Sequence, residues 1–129
     1  MDIRDLRIGD IVCTKSFPTT TMRIKALDEN DEVITKMDKY NECTYSIHDI
    51  CGFKVNKDFL KSIGCEFNMV KVEYILSIGG GYRIAIRPQM GSENYIATQL
   101  NVYRPFFCKF TYLHQLQHWL WDNFKFKLE

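Results

Sequence analysis

Four residues in the middle of the chain have side chains of the types that bind zinc. Cys43, His48 and Cys51 lie close together in the sequence, and Cys65 follows further on. Thiolates and imidazoles are the usual ligands of structural zinc, but this spacing matches no standard zinc motif. If the segment is a strand, Cys43 points to one side and His48 to the other. We therefore predict no metal ligand here and keep zinc as the minor alternative.

The same segment contains a thiol and an imidazole that could act together as nucleophile and base. Thiol catalysis needs a Cys beside a His that a third group orients. His48 is close to Cys51 in the sequence, yet no pattern makes the two side chains face each other. We therefore predict no catalytic residue and no cofactor, and an enzyme of unrecognised type stays open as an alternative.

Three consecutive glycines raise the question of a phosphate-binding loop. No Gly-Lys-Ser/Thr ending follows Gly79, Gly80 and Gly81, and the next segment alternates like a strand instead of opening a helix. The triplet is typical of a hairpin turn that needs positive φ angles.

His114 and His118 lie one helical turn apart, as two metal ligands on a helix would. Asp122 continues the same stripe. No Glu follows His114, so the metalloprotease pattern is absent, and no third ligand is specified. The pattern is typical of a solvated polar stripe, which a protein partner could also contact.

Three basic residues fall on two neighbouring predicted strands. Residues 70–76 and 82–87 alternate between apolar and charged side chains and are joined by the glycine turn. Lys71 lies on the first strand, and Arg83 and Arg87 lie on the second. Together they can form one basic sheet face that binds nucleic acid, with an ordinary solvated face as the alternative.

The elements that hold these residues predict an α+β fold. Residues 1–54 contain short strands and polar turns, which favour a small, curled antiparallel β module that resembles a barrel. A short helix follows, capped by Asn56 and ended by Gly64. An antiparallel meander sheet comes next, and a C-terminal helix packs on it. We predict a single domain over residues 1–129, with an α+β half at 55–129. Further short strands are predicted at residues 95–98, 102–103, 106–110 and 125–128.

The last helix has a wide apolar side. It is predicted to run from Thr111, its N-cap, to about Asn123, with Trp119 and Trp121 flanking a stripe of Leu and Phe residues. The apolar arc exceeds the ~100° of a simple surface helix, so the helix fills a groove between layers or contributes to an interface. The predicted interaction surface consists of His114, Gln115, His118, Trp119 and Trp121.

Composition and charge argue against several classes of protein. Hydrophobic residues make up 46% and charged residues 26% of the 129 residues, which argues against disorder. The net charge of +1 lacks the basic excess of proteins that depend on phosphate contacts. No apolar run approaches a membrane span, and the opening lacks the apolar core of a signal peptide. The five Cys include no C-x-x-C pair and fit reduced thiols. We expect a cytoplasmic protein that does not contact membranes.

Three segments resemble small proteins from phages and integrated elements of gut Bacteroidetes. Residues 6–12 are similar to the LRIGN-V start of that family, residues 55–65 to its LTEEWLLKFGF helix, and residues 112–117 to its YVHQLQ helix start. The order and spacing agree over almost the whole chain. Lys57 stands where the family is usually acidic, and Cys65 replaces an aromatic residue. The resemblance implies a cytoplasmic accessory protein with a small β module followed by an α+β half. The family has no assigned activity, so no catalytic residue is implied.

The leading functional hypothesis is a non-enzymatic accessory protein from a phage or mobile element. It acts as a protein-interaction module that docks on another protein or on itself, because aromatic residues are abundant and no catalytic set is present. A weak nucleic-acid-binding module that uses Lys71, Arg83 and Arg87 is the alternative. An enzyme of unrecognised type is the second alternative.

Overall fold

The computed structural model describes residues 5–37 and 41–128. These residues form two five-stranded antiparallel sheets and two α-helices, which confirms the predicted α+β class. The backbone divides into two compact units, residues 1–54 with 112–114 and residues 55–111 with 115–129. That the chain behaves as a single domain stays a prediction. The charged opening that argues against a signal peptide begins with residues 1–4, outside the described residues.

The first sheet is built from five short strands in the first unit. The strands are β1 (Ile11–Thr14), β2 (Met22–Leu27), β3 (Glu32–Lys36), β4 (Glu42–Ser46) and β5 (Ile50–Gly52). Their spatial order is β4-β3-β2-β1-β5. A 3-10 turn, Ile47–Asp49, joins β4 to β5, which then returns to pair with β1. The register between β2 and β3 shifts at Ile24 and Ala26, which marks a β-bulge.

The main apolar cluster of the first unit lies on one face of this sheet. Every residue of β1 is buried, so this strand is covered on both faces. The apolar side chains that form the buried cluster come from the strands and from the segments beside them; they are Leu6, Val12, Met22, Ile24, Val33, Ile47 and Ile50. Burial of β1 matters for the chemistry of the unit because Cys13 lies in it, opposite Cys51 of β5.

A short helix, α1 (Lys57–Ser62), opens the second unit. The side chain of Asn56 accepts a hydrogen bond from the N–H of Phe59 at 2.8 Å, which confirms the predicted N-cap. Gly64 adopts φ +91° just past the helix end. The N–H of Gly64 donates to the carbonyl of Lys61, and the N–H of Cys65 donates to that of Leu60. This pair of bonds is a Schellman ending, so the predicted role of Gly64 is confirmed.

The second sheet is a meander of five antiparallel strands. The strands are β6 (Glu66–Asn68), β7 (Glu73–Ile78), β8 (Tyr82–Pro88), β9 (Tyr95–Gln99) and β10 (Phe107–Phe110). Their order, β10-β9-β8-β7-β6, follows the chain without a crossover. Gly80 and Gly81 have φ angles of 75° and 79° in the turn between β7 and β8, which confirms the predicted hairpin.

The second sheet has an inner face, which the helix α2 (Leu113–Phe124) covers, and an outer face. Leu116 and Leu120 of α2 are fully buried, and the ring of Phe124 lies 5.5 Å from that of Tyr82. Strand residues on the inner face are apolar and buried, and they include Leu76, Ile78, Ile84, Ile86, Ala97 and Phe110. Because strand side chains alternate, the residues between them belong to the outer face.

Three predicted strand segments differ from the structure. The strand predicted from residue 70 begins only at Glu73, because Asn68 accepts hydrogen bonds from the N–H groups of Val70 and Lys71 and closes a turn. Residues 102–103 form no strand. The chain after α2 is also not a strand, because Lys125 adopts φ 52° and its N–H donates to the carbonyl of Trp121.

Candidate interaction surfaces

The polar stripe of α2 is not one continuous surface. His114 is only 5% exposed, and its ring stacks on that of Tyr112 at 6.0 Å and 14°. His114 is therefore a packed residue and is not part of an exposed interaction surface. Gln115 is exposed, and its side-chain oxygen accepts a hydrogen bond from the N–H of Thr111 at 3.0 Å. Gln115 thus binds the backbone at the start of α2. The Thr111 hydroxyl donates a hydrogen bond to the side-chain oxygen of Asn94, which differs from the N-cap role predicted for Thr111.

The two tryptophans of α2 differ in their surroundings. Trp119 is half-buried and meets the ring of Phe124 edge-on at 5.4 Å. Trp121 is exposed, and the Lys125 ammonium lies 5.4 Å from the centre of its ring. His118 is half-buried. Of the five residues predicted for the interaction surface, only Gln115 and Trp121 are exposed.

Two of the three residues predicted for a basic sheet face, Arg83 and Arg87, lie on one face of the second sheet. Arg83 and Arg87 are both exposed on the outer face of β8, with buried Ala85 between them. Lys71 does not join them, because it lies in the turn before β7. The prediction that all three share one strand pair is therefore wrong for Lys71.

Phe107 and Lys109 of β10 also lie on the outer face, although the sequence pattern did not single them out. Thr98 pairs with Ala85 on one side and with Phe107 on the other, and Ile96 likewise connects Arg87 to Lys109. Phe107 is 71% exposed. The register between β10 and β9 places Phe107 on the outer face. The alternation of Phe106, Cys108 and Phe110 in the sequence describes only the inner face.

Carboxylates balance much of this positive charge. Glu66 of β6 pairs with Ile75 of β7, and Ile75 pairs with Ala85 of β8. Because directly paired residues point to the same face and Ala85 is on the outer face, Glu66 is on the outer face too. Glu73 falls on the same face by alternation and is buried. The outer face is thus acidic towards β6 and basic towards β8 and β10.

The chain between β9 and β10 exposes a row of large side chains, which we call the aromatic segment (residues 102–106). Tyr103 is 93% exposed, and the guanidinium of Arg104 lies 5.8 Å from the centre of its ring. Val102, Phe106 and Phe107 are also exposed. Aromatic side chains and Arg are the residue types that concentrate at the centres of protein interfaces.

The strand that follows this segment, β10, is an edge of its sheet. The N–H of Gln99 donates to the carbonyl of Phe106 at 3.1 Å. In an antiparallel pair every second residue is hydrogen-bonded to its neighbour, so Cys108 and Phe110 also face β9. The backbone N–H and C=O groups of Phe107 and Lys109 therefore point away from the sheet.

The cysteines are placed for packing and for contact with one another. Cys43 is exposed on β4, and His48 is exposed in the 3-10 turn. Within residues 5–37 and 41–128, no three His, Cys, Asp or Glu side chains form a group that could hold a metal. Cys51 instead lies against Cys13, with 3.1 Å between the two Sγ atoms. Burial, with added effects of the Cys51 hydrogen bond and charge, raises the pKa of the Cys13 thiol to about 12.

Two of the open hollows on the surface of the described residues are lined by neither a His nor a Cys. They measure about 290 Å³ and about 360 Å³. No Cys–His pair of nucleophile and base therefore meets in either of them. The first is lined by Ile11, Thr21, Met22, Arg23, Lys36 and Met37, and the second by Glu66, Phe67, Asn68, Met69, Ile75 and Arg83.

Comparison of the chain with protein-family models, curated proteins and solved structures finds no match in any of the three. Neither α1 nor α2, the helices of the described residues, is long and apolar enough to cross a membrane.

Proposed function

We propose that this protein is a non-enzymatic interaction module that docks on a second copy of itself through β10 and the aromatic segment. The observation that carries the proposal is the outward-facing backbone of Phe107 and Lys109 directly after a row of exposed aromatic side chains. A cytoplasmic accessory role in a phage or mobile element is part of the proposal and is supported by the resemblance of residues 6–12, 55–65 and 112–117.

An edge strand offers hydrogen-bonding groups that another strand can pair with. Natural proteins usually protect such edges with charge, bulges or a covering loop. Here Lys109 is the only charge on β10, and the segment before it exposes Val102, Tyr103 and Phe106. This combination fits an edge that a partner covers.

A second copy fits the chemistry of this edge. Two β10 strands that pair antiparallel about a two-fold axis can place Phe107 of each copy opposite Lys109 of the other. That register avoids opposed like charges and sets an ammonium beside an aromatic ring. The aromatic segment adds apolar area beside the short strand pair.

We expect Phe107→Glu to weaken self-association by about tenfold or more, because it replaces a central aromatic contact with a carboxylate. Light scattering over a protein concentration series measures the effect. Met90→Glu is the matched control, since Met90 is 97% exposed in the connection between β8 and β9, at the other end of the sheet. Equal association constants for the two variants would show that β10 is not the docking edge.

Single-stranded nucleic acid is a second candidate partner, favoured by the outer face. Arg83, Arg87 and Lys109 lie there with Phe107, which is the combination of cations and an exposed aromatic ring that binds bases and backbone together. The carboxylates towards β6 limit how strongly this face attracts phosphates.

If the outer face binds nucleic acid, Arg87→Ala should weaken binding and reduce the slope of log affinity against log salt by about 1. Fluorescence anisotropy of a labelled single-stranded oligonucleotide at several salt concentrations measures both quantities. Lys71→Ala is the control and should change neither, because Lys71 lies in the turn between β6 and β7 and not on β8 or β10. Absence of binding at low salt removes this candidate and leaves the first proposal untouched.

A further inference from the structure

Two thiols meet between neighbouring strands of the first unit. Cys13 of β1 and Cys51 of β5 are direct cross-strand partners, and their Sγ atoms are 3.1 Å apart. Cys13 is buried, whereas Cys51 is half-buried and reachable from solvent. The Cys13 thiol also lies 3.6 Å from the carbonyl oxygens of Cys51 and Gly52, to which it can donate.

We propose that Cys13 and Cys51 form a redox modification site, at which exchange with a small disulfide such as oxidised glutathione joins β1 to β5 through a disulfide bond. Both residues belong to the same unit, and the cross-strand pairing already sets their side chains side by side. Closure needs the two sulfur atoms to approach by about 1 Å to reach bonding distance.

The exchange proceeds in two balanced steps. The thiolate of Cys51, the more accessible residue, attacks one sulfur of oxidised glutathione, so that a mixed disulfide forms and one glutathione thiolate leaves. The thiolate of Cys13 then attacks Sγ of Cys51 and expels the second glutathione thiolate. The two cysteines lose two electrons and two protons, and oxidised glutathione gains two electrons and, from solvent, two protons.

The order of these steps follows from the burial of the two thiols. Burial and the neighbouring Cys51 raise the pKa of Cys13 to about 12, so Cys13 is rarely a thiolate at neutral pH. Cys13 is therefore the slower, resolving thiol, and ring closure accelerates as the pH rises.

The partial exposure of Cys51 favours a disulfide that is easily reopened. The N–H of Lys15 donates to the carbonyl of Asp49 at 3.0 Å, so by alternation Cys13 and Cys51 occupy a hydrogen-bonded pair, whose Cα atoms lie about 5.5 Å apart. A disulfide spans that distance without a shift of the strands. Disulfides that solvent reaches are the more reducible ones, and Cys51 is half-buried, so we expect a reversible link rather than a permanent one.

The test exposes the folded wild-type protein to oxidised glutathione, blocks the remaining thiols with iodoacetamide and analyses the peptides by mass spectrometry. We expect a peptide pair linked through Cys13 and Cys51, with two hydrogen masses lost, and its disappearance after millimolar dithiothreitol. Cys43→Ser is the matched control, because Cys43 is exposed on β4 and away from this pair, and it should form the same link. Cys51→Ser should form no intramolecular link.

Three outcomes would overturn the proposal. One is full alkylation of both cysteines after prolonged exposure to oxidised glutathione. Another is a stable glutathione adduct on Cys51 that Cys13 never resolves. The third is a link from Cys51 to a different cysteine. Because the wild-type protein carries the decisive measurement, a folding defect in a variant cannot obscure the result.

Discussion

At Gly52 the absence of a side chain makes room for the ring of Tyr112 within the first unit. A Cβ placed on Gly52 would lie 2.6 Å from Cγ of Tyr112, far inside van der Waals contact. We expect Gly52→Ala to lower the free energy of unfolding by about 1–3 kcal/mol because the core must shift to admit the methyl group. Urea denaturation measures the change. Gly79→Ala is the control and should be nearly neutral, since no atom lies within 4 Å of its Cβ.

The buried thiol of Cys13 makes stability depend on alkaline pH. Its pKa is raised from 9.0 to about 12 by burial first and by Cys51 second. Between these values the folded state keeps a proton that the unfolded chain has lost, so the stability that Cys13 contributes is complete below pH 9 and falls as the pH rises towards 12. Under reducing conditions, the free energy of unfolding of the wild type should fall more steeply above pH 9 than that of Cys13→Ser. Parallel curves would contradict the raised pKa.

Individual side chains were predictable where one strand or one helix decides their direction. Arg83 and Arg87 were correctly assigned to one face because alternation along β8 suffices. Lys71 was misplaced because the amide of Asn68 captures two backbone N–H groups and ends the strand pattern. His114 was misplaced because its burial depends on Tyr112 and other packed neighbours, which helical periodicity cannot include.

At the scale of single elements, α1 depends on its N-cap. The helix is short, and isolated helices of that length are unstable without caps and tertiary contacts. We expect Asn56→Ala to lower the free energy of unfolding by about 1 kcal/mol, because the N–H of Phe59 loses its partner. Lys57→Ala serves as the control, since removing a cation from a helix N-terminus is neutral or slightly stabilising. Equal losses in both variants would argue against capping as the cause.

Element types were easier to predict than element boundaries. The cap at Asn56, the ending at Gly64 and the glycine hairpin are local signals, and all three are confirmed. The strand β6 was missed because it is very short. In its place Val70 and Val72 imitated strand alternation, although Val72 adopts φ 51° in a turn.

At the scale of the whole molecule, the α+β class and the meander of the second sheet could be predicted because neighbouring strands in the chain are also neighbours in space. The exposed edge could not be predicted. It depends on which strand remains without a second neighbour and on which backbone groups of Phe107 and Lys109 point outwards, and both follow from pairing between strands. The sequence predicted a docking surface on α2, whereas the proposal made from the structure uses β10 and the aromatic segment.

The central claim is that the outer edge of β10 pairs with a second copy of the chain. Amide hydrogen exchange, resolved to single residues and measured at low and high protein concentration, tests it most directly. We predict that the N–H groups of Phe107 and Lys109 become protected as concentration rises, while that of Met90, which lies in the exposed connection between β8 and β9, does not change. Fast exchange at Phe107 and Lys109 at every concentration would contradict the claim.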